Sequence, residues 1–501
     1  MITGRTIARQ TMLNLLGLGL PVLLALVCIP FTVHGLGAER FGILAVAWTA
    51  VGYLTLFDLG LGPALTKAVA ERLASGEAEE IPSIAWTGQG MLLLFGAVGG
   101  GVLALVSPLL VHRVLNIPPE LEAEALSALY LIALSIPSVL GTTGLRGLLE
   151  AYQRFGAVNA LRLPMGAFTY VAPLAVLPFT PDLTYVVGLL VAGRILAWVA
   201  HLVVCLRQIP ELRTVPVLRA EVLAPLARFG GWVTASNISS SVMIYSDRFL
   251  IGSVLSMAAV TFYTTPYDAV TKLWLLPGAV LGALFPAFSA TFVTDRERTL
   301  RLFDQAIRVL FVLLFPVTLA LVVFAREGLT LWLGAGFAAE STRVMQWLAI
   351  GVFINSIGMI PGAGLQGIGR PELTGKLNLL EMPFYVALLW ALLHARGIEG
   401  AAIAWVVRVA ADTGILCVLV GRALPNGGAV LRRTAAMMLP GVAVLLVAME
   451  LPTMAARAIF LLGTSAVFLL VSWSRILTPT ERRTVRLRVG LESDLPALNP
   501  P

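Results

Sequence analysis

FGAVNALRLPMGAFTYVAPLAVLPF, residues 155–179, decides how the chain has to be read. About twenty consecutive apolar residues cross the hydrocarbon of a bilayer, and this run is long enough, yet it contains Arg162. A guanidinium at the middle of a helix in hydrocarbon costs at least about 2.5–3.5 kcal/mol. Arg162 must therefore face an acid from another helix, a water-filled cavity or an anionic ligand.

The surrounding chain has the same character. Of 501 residues 58% are hydrophobic and only 13% charged, with a mean hydropathy of +0.89, whereas ordinary soluble domains carry about 25% charged residues. The composition excludes a soluble protein and predicts an all-α integral membrane protein with about fourteen transmembrane helices. The expected spans are 10–34, 41–62, 82–111, 123–149, 155–179, 183–206, 226–252, 257–291, 302–325, 342–368, 373–395, 398–421, 434–451 and 453–475. Breaks are expected at Pro266, Pro277, Pro286 and Pro361. Although Arg5 and Arg9 precede the first run, no small-residue cleavage site follows it, so it reads as a retained span and not a signal peptide.

Basic residues alternate between connections. Arg5, Arg9, Lys67, Arg72, Arg207, Arg213, Arg219, Arg432 and Arg433 fall in one set, with many more, while the opposite set holds only Arg40, Arg113, Arg326, Arg343, Arg396 and Arg457. By the positive-inside rule both termini are cytoplasmic. The same spread makes a nucleic-acid partner for the net charge of +7 untenable, because no single basic face forms; anionic membrane lipids suffice.

GLRG at 144–147 precedes NALRLP at 159–164, and GLQG at 364–367 precedes NLLEMP at 378–383 with similar spacing. This repeat predicts two six-helix lobes, 1–206 and 226–421, joined by a cytoplasmic linker at 207–225. Two more helices in 422–476 and a cytoplasmic tail at 477–501 complete the chain. Sites between such repeats are what many transporters use.

Charges left within the spans are the candidate functional residues. Asp268 with Lys272, Asp304 with Arg308, and Arg408 with Asp412 are each four residues apart, on one helix face. The Asp304–Arg308 pair reads as structural; the other two are open between structure and function. Arg162 and Arg194 have no acid at helical spacing, so a charged aqueous vestibule lined by both is the preferred reading, with Arg162–Glu381 across the repeat as an alternative. Lys272, Arg248 and Arg408 are further candidates for binding an anionic cargo. Asp58, Asp268, Glu381 and Asp412 are the carboxylates available to carry a proton or sodium ion, although Asp58 also reads as a polar helix end.

No G-x-x-x-x-G-K-[ST], H-E-x-x-H or G-x-S-x-G occurs. The four histidines are scattered, and the three cysteines each lie in an apolar run. We therefore expect no enzyme, no cofactor and no metal site.

GLGAERFGI at 35–43, DLGLGPALTK at 58–67, DRFLIG at 247–252 followed by FY at 262–263, LFPAFS at 284–289 and GLQGIGRP at 364–371 together resemble the Wzx-type oligosaccharide flippases. These belong to the polysaccharide biosynthesis family in the MOP exporter superfamily. The resemblance covers about residues 5 to 420. It implies a V-shaped, MATE-like pair of lobes that exposes a central cavity alternately to the two membrane faces. The implied cargo is an oligosaccharide on a polyprenyl (undecaprenyl) pyrophosphate carrier, moved from the cytoplasmic to the periplasmic leaflet for O-antigen, capsule or exopolysaccharide synthesis. Polysaccharide polymerase and export machinery are the implied partners. Guanidinium suits such a cargo, because its paired donors match pyrophosphate and acidic sugars.

Three alternatives compete. A MATE-type cation-coupled multidrug exporter would favour an acidic cavity, against the basic excess found here. A lipid II flippase is suggested by the count of fourteen spans in place of twelve. A membrane glycosyltransferase or polymerase would need a large external loop or clustered carboxylates, and neither is present.

Overall fold

A computed structural model describes residues 4–54, 61–213, 243, 246–281, 295–367, 370–423 and 427–476, without the side chains of 4–22, 50–54, 74, 78, 367, 371, 423, 427 and 475–476. Every regular element among them is helical. In chain order these are α1 (Gly4–Leu54), α2 (Leu61–Ser75), α3 (Ile81–Leu109), α4 (Glu122–Ala151), α5 (Phe155–Val176), α6 (Leu183–Gln208), α7 (246–254) and α8 (Met257–Val270), followed by α9 (275–281), α10 (Arg296–Val323), α11 (Ala325–Leu333), α12 (Ala335–Gly367), α13 (Pro371–Ala423), α14 (Gly427–Met449) and α15 (Met454–Val471). Nine helical stretches among the described residues are long and apolar enough to cross a membrane. The protein is an all-α, multi-pass membrane protein.

Two helices are longer than any bilayer needs. α1 and α13 each bend at a glycine, Gly37 with φ 80° and Gly397 with φ 60°. A positive φ is strained for any residue with a Cβ. Both glycines fall where hydropathy separates neighbouring spans, 10–34 from 41–62 and 373–395 from 398–421.

Prolines behave less uniformly than expected. α12 runs through Pro361 without ending, since one lost hydrogen bond is tolerable in a long, buried helix. In the 257–291 span the interruption comes as a 3-10 segment, Thr271–Trp274. It lies just ahead of Pro277, whose ring would clash with the Leu273 carbonyl in a continuous α-helix. Pro286 lies outside the described residues. The stretch after α10, read from sequence as an external loop, holds the short helix α11, which buries Ala325, Leu329 and Leu333 along one stripe. Three anchors in nine residues are too few for hydropathy to reveal.

By packing, the chain divides into two compact units. One comprises Met1–Ala269 with Asn378–Ala404, the other Val270–Leu377 with Trp405–Pro501. The first is centred on Leu65, Val69, Ile81, Leu145, Leu148 and Cys205, all buried. The second contains a ring cluster in which Phe315 stacks 4.7 Å from Phe468 and 5.6 Å from Phe311. Large apolar side chains such as Leu105, Phe179 and Leu462 point outward instead, as expected of helices solvated by lipid.

Candidate functional site

Arg162 stands on α5, about 10 Å along the axis from the helix start at 1.5 Å per residue. It is exposed and makes neither an ion pair nor a hydrogen bond among the described residues. The local sequence adds an acceptor beside it. Pro164 has no N–H, so the Ala160 carbonyl lacks its usual intrahelical donor, and Ala160 and Pro164 are exposed as well. Arg194 on α6 is half-buried; its Nη1 donates to the Ser135 hydroxyl of α4 over 3.5 Å, and no acid pairs with it among the described residues. Neither guanidinium is neutralised by a carboxylate among the described residues.

Arg248 differs. Its Nη2 donates to Asp268 Oδ1 at 3.0 Å and its Nη1 to the Thr49 hydroxyl at 3.3 Å, while its guanidinium lies 5.4 Å over the Tyr267 ring. The preceding Asp247 accepts from the Tyr263 hydroxyl at 2.9 Å, and Tyr263 stacks on Tyr267. Tyr170 of α5 is near enough to Asp268 to feel its charge, as Tyr385 of α13 is to Tyr263. One charge network thus joins α1, α7 and α8, with tyrosines from α5 and α13 close by.

This corrects the expected Asp268–Lys272 pair. The 3-10 turn at Thr271–Trp274 replaces the α-helical spacing the pair requires, and Asp268 binds Arg248 instead. Lys272 is half-buried with no ion pair among the described residues. Arg162 likewise makes no pair with Glu381, whose carboxylate oxygens are shielded from solvent on α13. Asp412 and Arg408 share one face of α13 and feel each other's charge. Asp304 contacts Arg308 directly and has Arg433 at 3.5 Å, the structural pair its spacing predicted. Asp58 lies outside the described residues.

The family model described as "Polysaccharide biosynthesis protein" matches residues 7–292, more than half of the chain. The chain belongs to the polysaccharide biosynthesis protein family. Among its relatives is a Shigella flexneri protein named "Putative O-antigen transporter", 28% identical over 82% of this chain and 97% of that protein. Another is the succinoglycan biosynthesis transport protein ExoT of Rhizobium meliloti, 25% identical over 75% of this chain and 70% of its relative. Among solved structures, the lipid II flippase MurJ in an inward closed conformation superposes with a TM-score of 0.69 at 11% identity, over 92% of this chain and 98% of that one. An inward-facing MATE transporter gives 0.64 at 15%, over 85% and 95%. At such identities the superpositions speak for the fold alone.

Several ties in this polysaccharide biosynthesis protein went unread in the sequence. Arg40, counted there only as a loop charge, grips Glu124 at the start of α4 through two hydrogen bonds of 2.8 and 2.7 Å. The Gly37 bend is also clamped to the α7–α8 joint. Glu39 accepts from the Ala258 N–H at 2.9 Å, and Thr261 donates to the Ala38 carbonyl at 2.6 Å. Asn116 donates to the Ser253 and Leu255 carbonyls at 2.9 and 3.1 Å. Gly42 completes the clamp, since a Cβ there would lie 1.8 Å from the Met257 carbonyl oxygen. The tyrosines were equally unforeseen, although Tyr263 and Tyr267, four apart in a span, gave a visible signal.

Proposed function

We propose that this chain is a flippase for a lipid-linked glycan, moving a polyprenyl (undecaprenyl) pyrophosphate-linked oligosaccharide from the cytoplasmic to the periplasmic leaflet by alternating access. Relatives named for O-antigen transport, succinoglycan biosynthesis transport and lipopolysaccharide biosynthesis support the class of cargo. The observation that carries the reading is the state of Arg162: a permanent cation inside an apolar helix, exposed, beside a freed carbonyl and with no acid holding it among the described residues. A guanidinium so placed is stable only against water or an anion. Its two-pronged donor geometry fits a pyrophosphate or a uronic acid.

Within this proposal Arg162 and Arg194 attract the headgroup, while the lipid tail stays in the bilayer. Lys272 adds a third cation. Arg248 and Arg408, each beside an acid, act as supports that can exchange partners when cargo arrives. Tyr170, half-buried on α5, offers a ring face to sugars, a use suited to an apolar body with a polar tip, whereas Tyr263, Tyr267 and Tyr385 are buried and pack. Ion coupling is assigned to Glu381 and Asp412; Asp268 is engaged by Arg248 and serves only if that pair opens, and Asp58 remains a candidate. We place the protein in the bacterial inner membrane with both termini cytoplasmic, in fourteen spans forming lobes 1–206 and 226–421 with helices 13 and 14 beside them, working alongside polysaccharide polymerase and export machinery.

In cells whose surface polymer depends on this chain, Arg162→Ala and Arg194→Ala should abolish polymer export at normal expression and membrane insertion. Unimpaired export in both would refute the assignment of the site.

A further inference from the structure

The second compact unit contains a cavity of about 460 Å³, within the roughly 300–1,000 Å³ usual for small-molecule sites. It opens where the first turns of α11 and α12, the end of α14 and the start of α15 meet, and three arginines line it: Arg326, Arg343 and Arg457. Arg343 holds Glu450 through two hydrogen bonds of 2.9 and 3.1 Å. Arg457 donates to Glu327 at 2.7 Å and to the Leu451 carbonyl at 3.0 Å. Arg326 is exposed, with its guanidinium unpaired among the described residues. Among the lining residues and these partners, one positive charge is left uncompensated.

A second, independent group points into the same cavity. Gln346 is 4% exposed, and its Nε2 donates to the Val322 carbonyl at 2.9 Å, which fixes the amide orientation. Its Oε1 is buried with no partner. An unmet buried acceptor calls for a donor. The occupant must therefore combine a single negative charge with a hydroxyl or N–H.

Its surroundings identify the source. The cavity lies where three apolar stretches end or begin, Ala335–Gln366, Gly428–Met449 and Met454–Ser474, hence at headgroup depth. No residue of α15 is buried, so lipid has a path along that helix. A pyrophosphate carries more charge than the single excess cation offsets. We infer that this cavity is a binding site for the headgroup of an anionic glycerophospholipid of the phosphatidylglycerol type, with the phosphodiester on Arg326 and a glycerol hydroxyl donating to Gln346. On the orientation proposed above it faces the periplasmic leaflet.

The test uses the full-length chain, purified in a neutral detergent, with dihexanoyl-phosphatidylglycerol, dihexanoyl-phosphatidylcholine and inorganic phosphate as probes of binding. We expect phosphatidylglycerol to bind at least about tenfold more tightly than either other probe, because choline lacks an N–H or O–H and phosphate lacks the glycerol and the tails. Arg326→Gln should weaken phosphatidylglycerol about tenfold without changing the melting temperature of the lipid-free protein, since the Arg326 guanidinium makes no hydrogen bond or ion pair among the described residues and its carbonyl, which accepts from the Thr330 hydroxyl, is kept. Equal binding by Arg326→Gln and wild type would overturn the site. Equal binding of phosphatidylcholine would overturn the donor requirement, and equal binding of phosphate would make it a site for soluble anions instead.

Discussion

Arg248 and Asp268 form an ion pair that a double-mutant cycle can weigh. At 3.0 Å, two unit charges attract by about 5–6 kcal/mol at an effective dielectric of 20. The side chain of Arg248 is 12% exposed and that of Asp268 is 44% exposed, so water screens the acid. Discounting by about half for that screening leaves a coupling of about 2–3 kcal/mol. Arg248→Gln, Asp268→Asn and the double variant should be unfolded reversibly in mixed micelles by increasing denaturing detergent. Each single variant should lose more stability than its area change implies, because each strands a charge: Asp247 and Asp268 in one, Arg248 in the other. The double variant should recover the coupling. A coupling below about 0.5 kcal/mol, the level expected of independent sites, would refute the assignment of Arg248 as a support and return it to the cargo-binding group beside Arg162.

Other expectations follow from single residues. Gly42→Ala should destabilise by at least about 1–3 kcal/mol, the usual cost of overpacking, since its methyl would collide with the Met257 carbonyl; unchanged unfolding would show that the Gly37 bend is not clamped there. Gln89 is 3% exposed with neither amide atom bonded among the described residues. Gln89→Leu should raise stability by about 1–2 kcal/mol by removing that unmet desolvation, and a loss would reveal a hidden partner. Glu450, in the connection after α14, is held below the usual carboxylate range by its hydrogen bonds from Arg343. A depressed carboxyl contributes stability above its unfolded pKa and loses it as pH falls through the folded one. Melting temperatures of wild type and Glu450→Gln should therefore converge as the pH drops below the ordinary carboxylate range and separate above it. Parallel curves would contradict the contact.

What could be read from sequence was what depends on nearest neighbours. Hydropathy established the all-helical, multi-pass class, and the separation of spans at 35–40 and 396–397 coincided with the bends at Gly37 and Gly397. Asp304 and Arg308 met as spaced, because both sit within one regular helix. Asp268 did not meet Lys272, because four residues mean one face only while the helix stays α, and the turn at Thr271–Trp274 is 3-10. Its true partner lies twenty residues back on another helix, a relation that periodicity does not encode. The same limit hid the Arg40–Glu124 tie and the anchors between the Gly37 bend and the α7–α8 joint. That Arg162 makes no ion pair among the described residues was legible for the opposite reason, since it has no acid at helical spacing along its own helix.

The central claim is that an unpaired guanidinium in α5 serves cargo and not the fold. It is tested most directly by reconstituting purified wild type and Arg162→Ala in liposomes and following a fluorescent polyprenyl-pyrophosphate glycan from one leaflet to the other. Wild type should translocate it; Arg162→Ala should lose nearly all translocation while its unfolding free energy stays within about 0.5 kcal/mol of wild type, as for an exposed side chain with no hydrogen bond or ion pair among the described residues. Translocation by Arg162→Ala at the wild-type rate, or loss of activity accompanied by an equal loss of stability, would contradict the account.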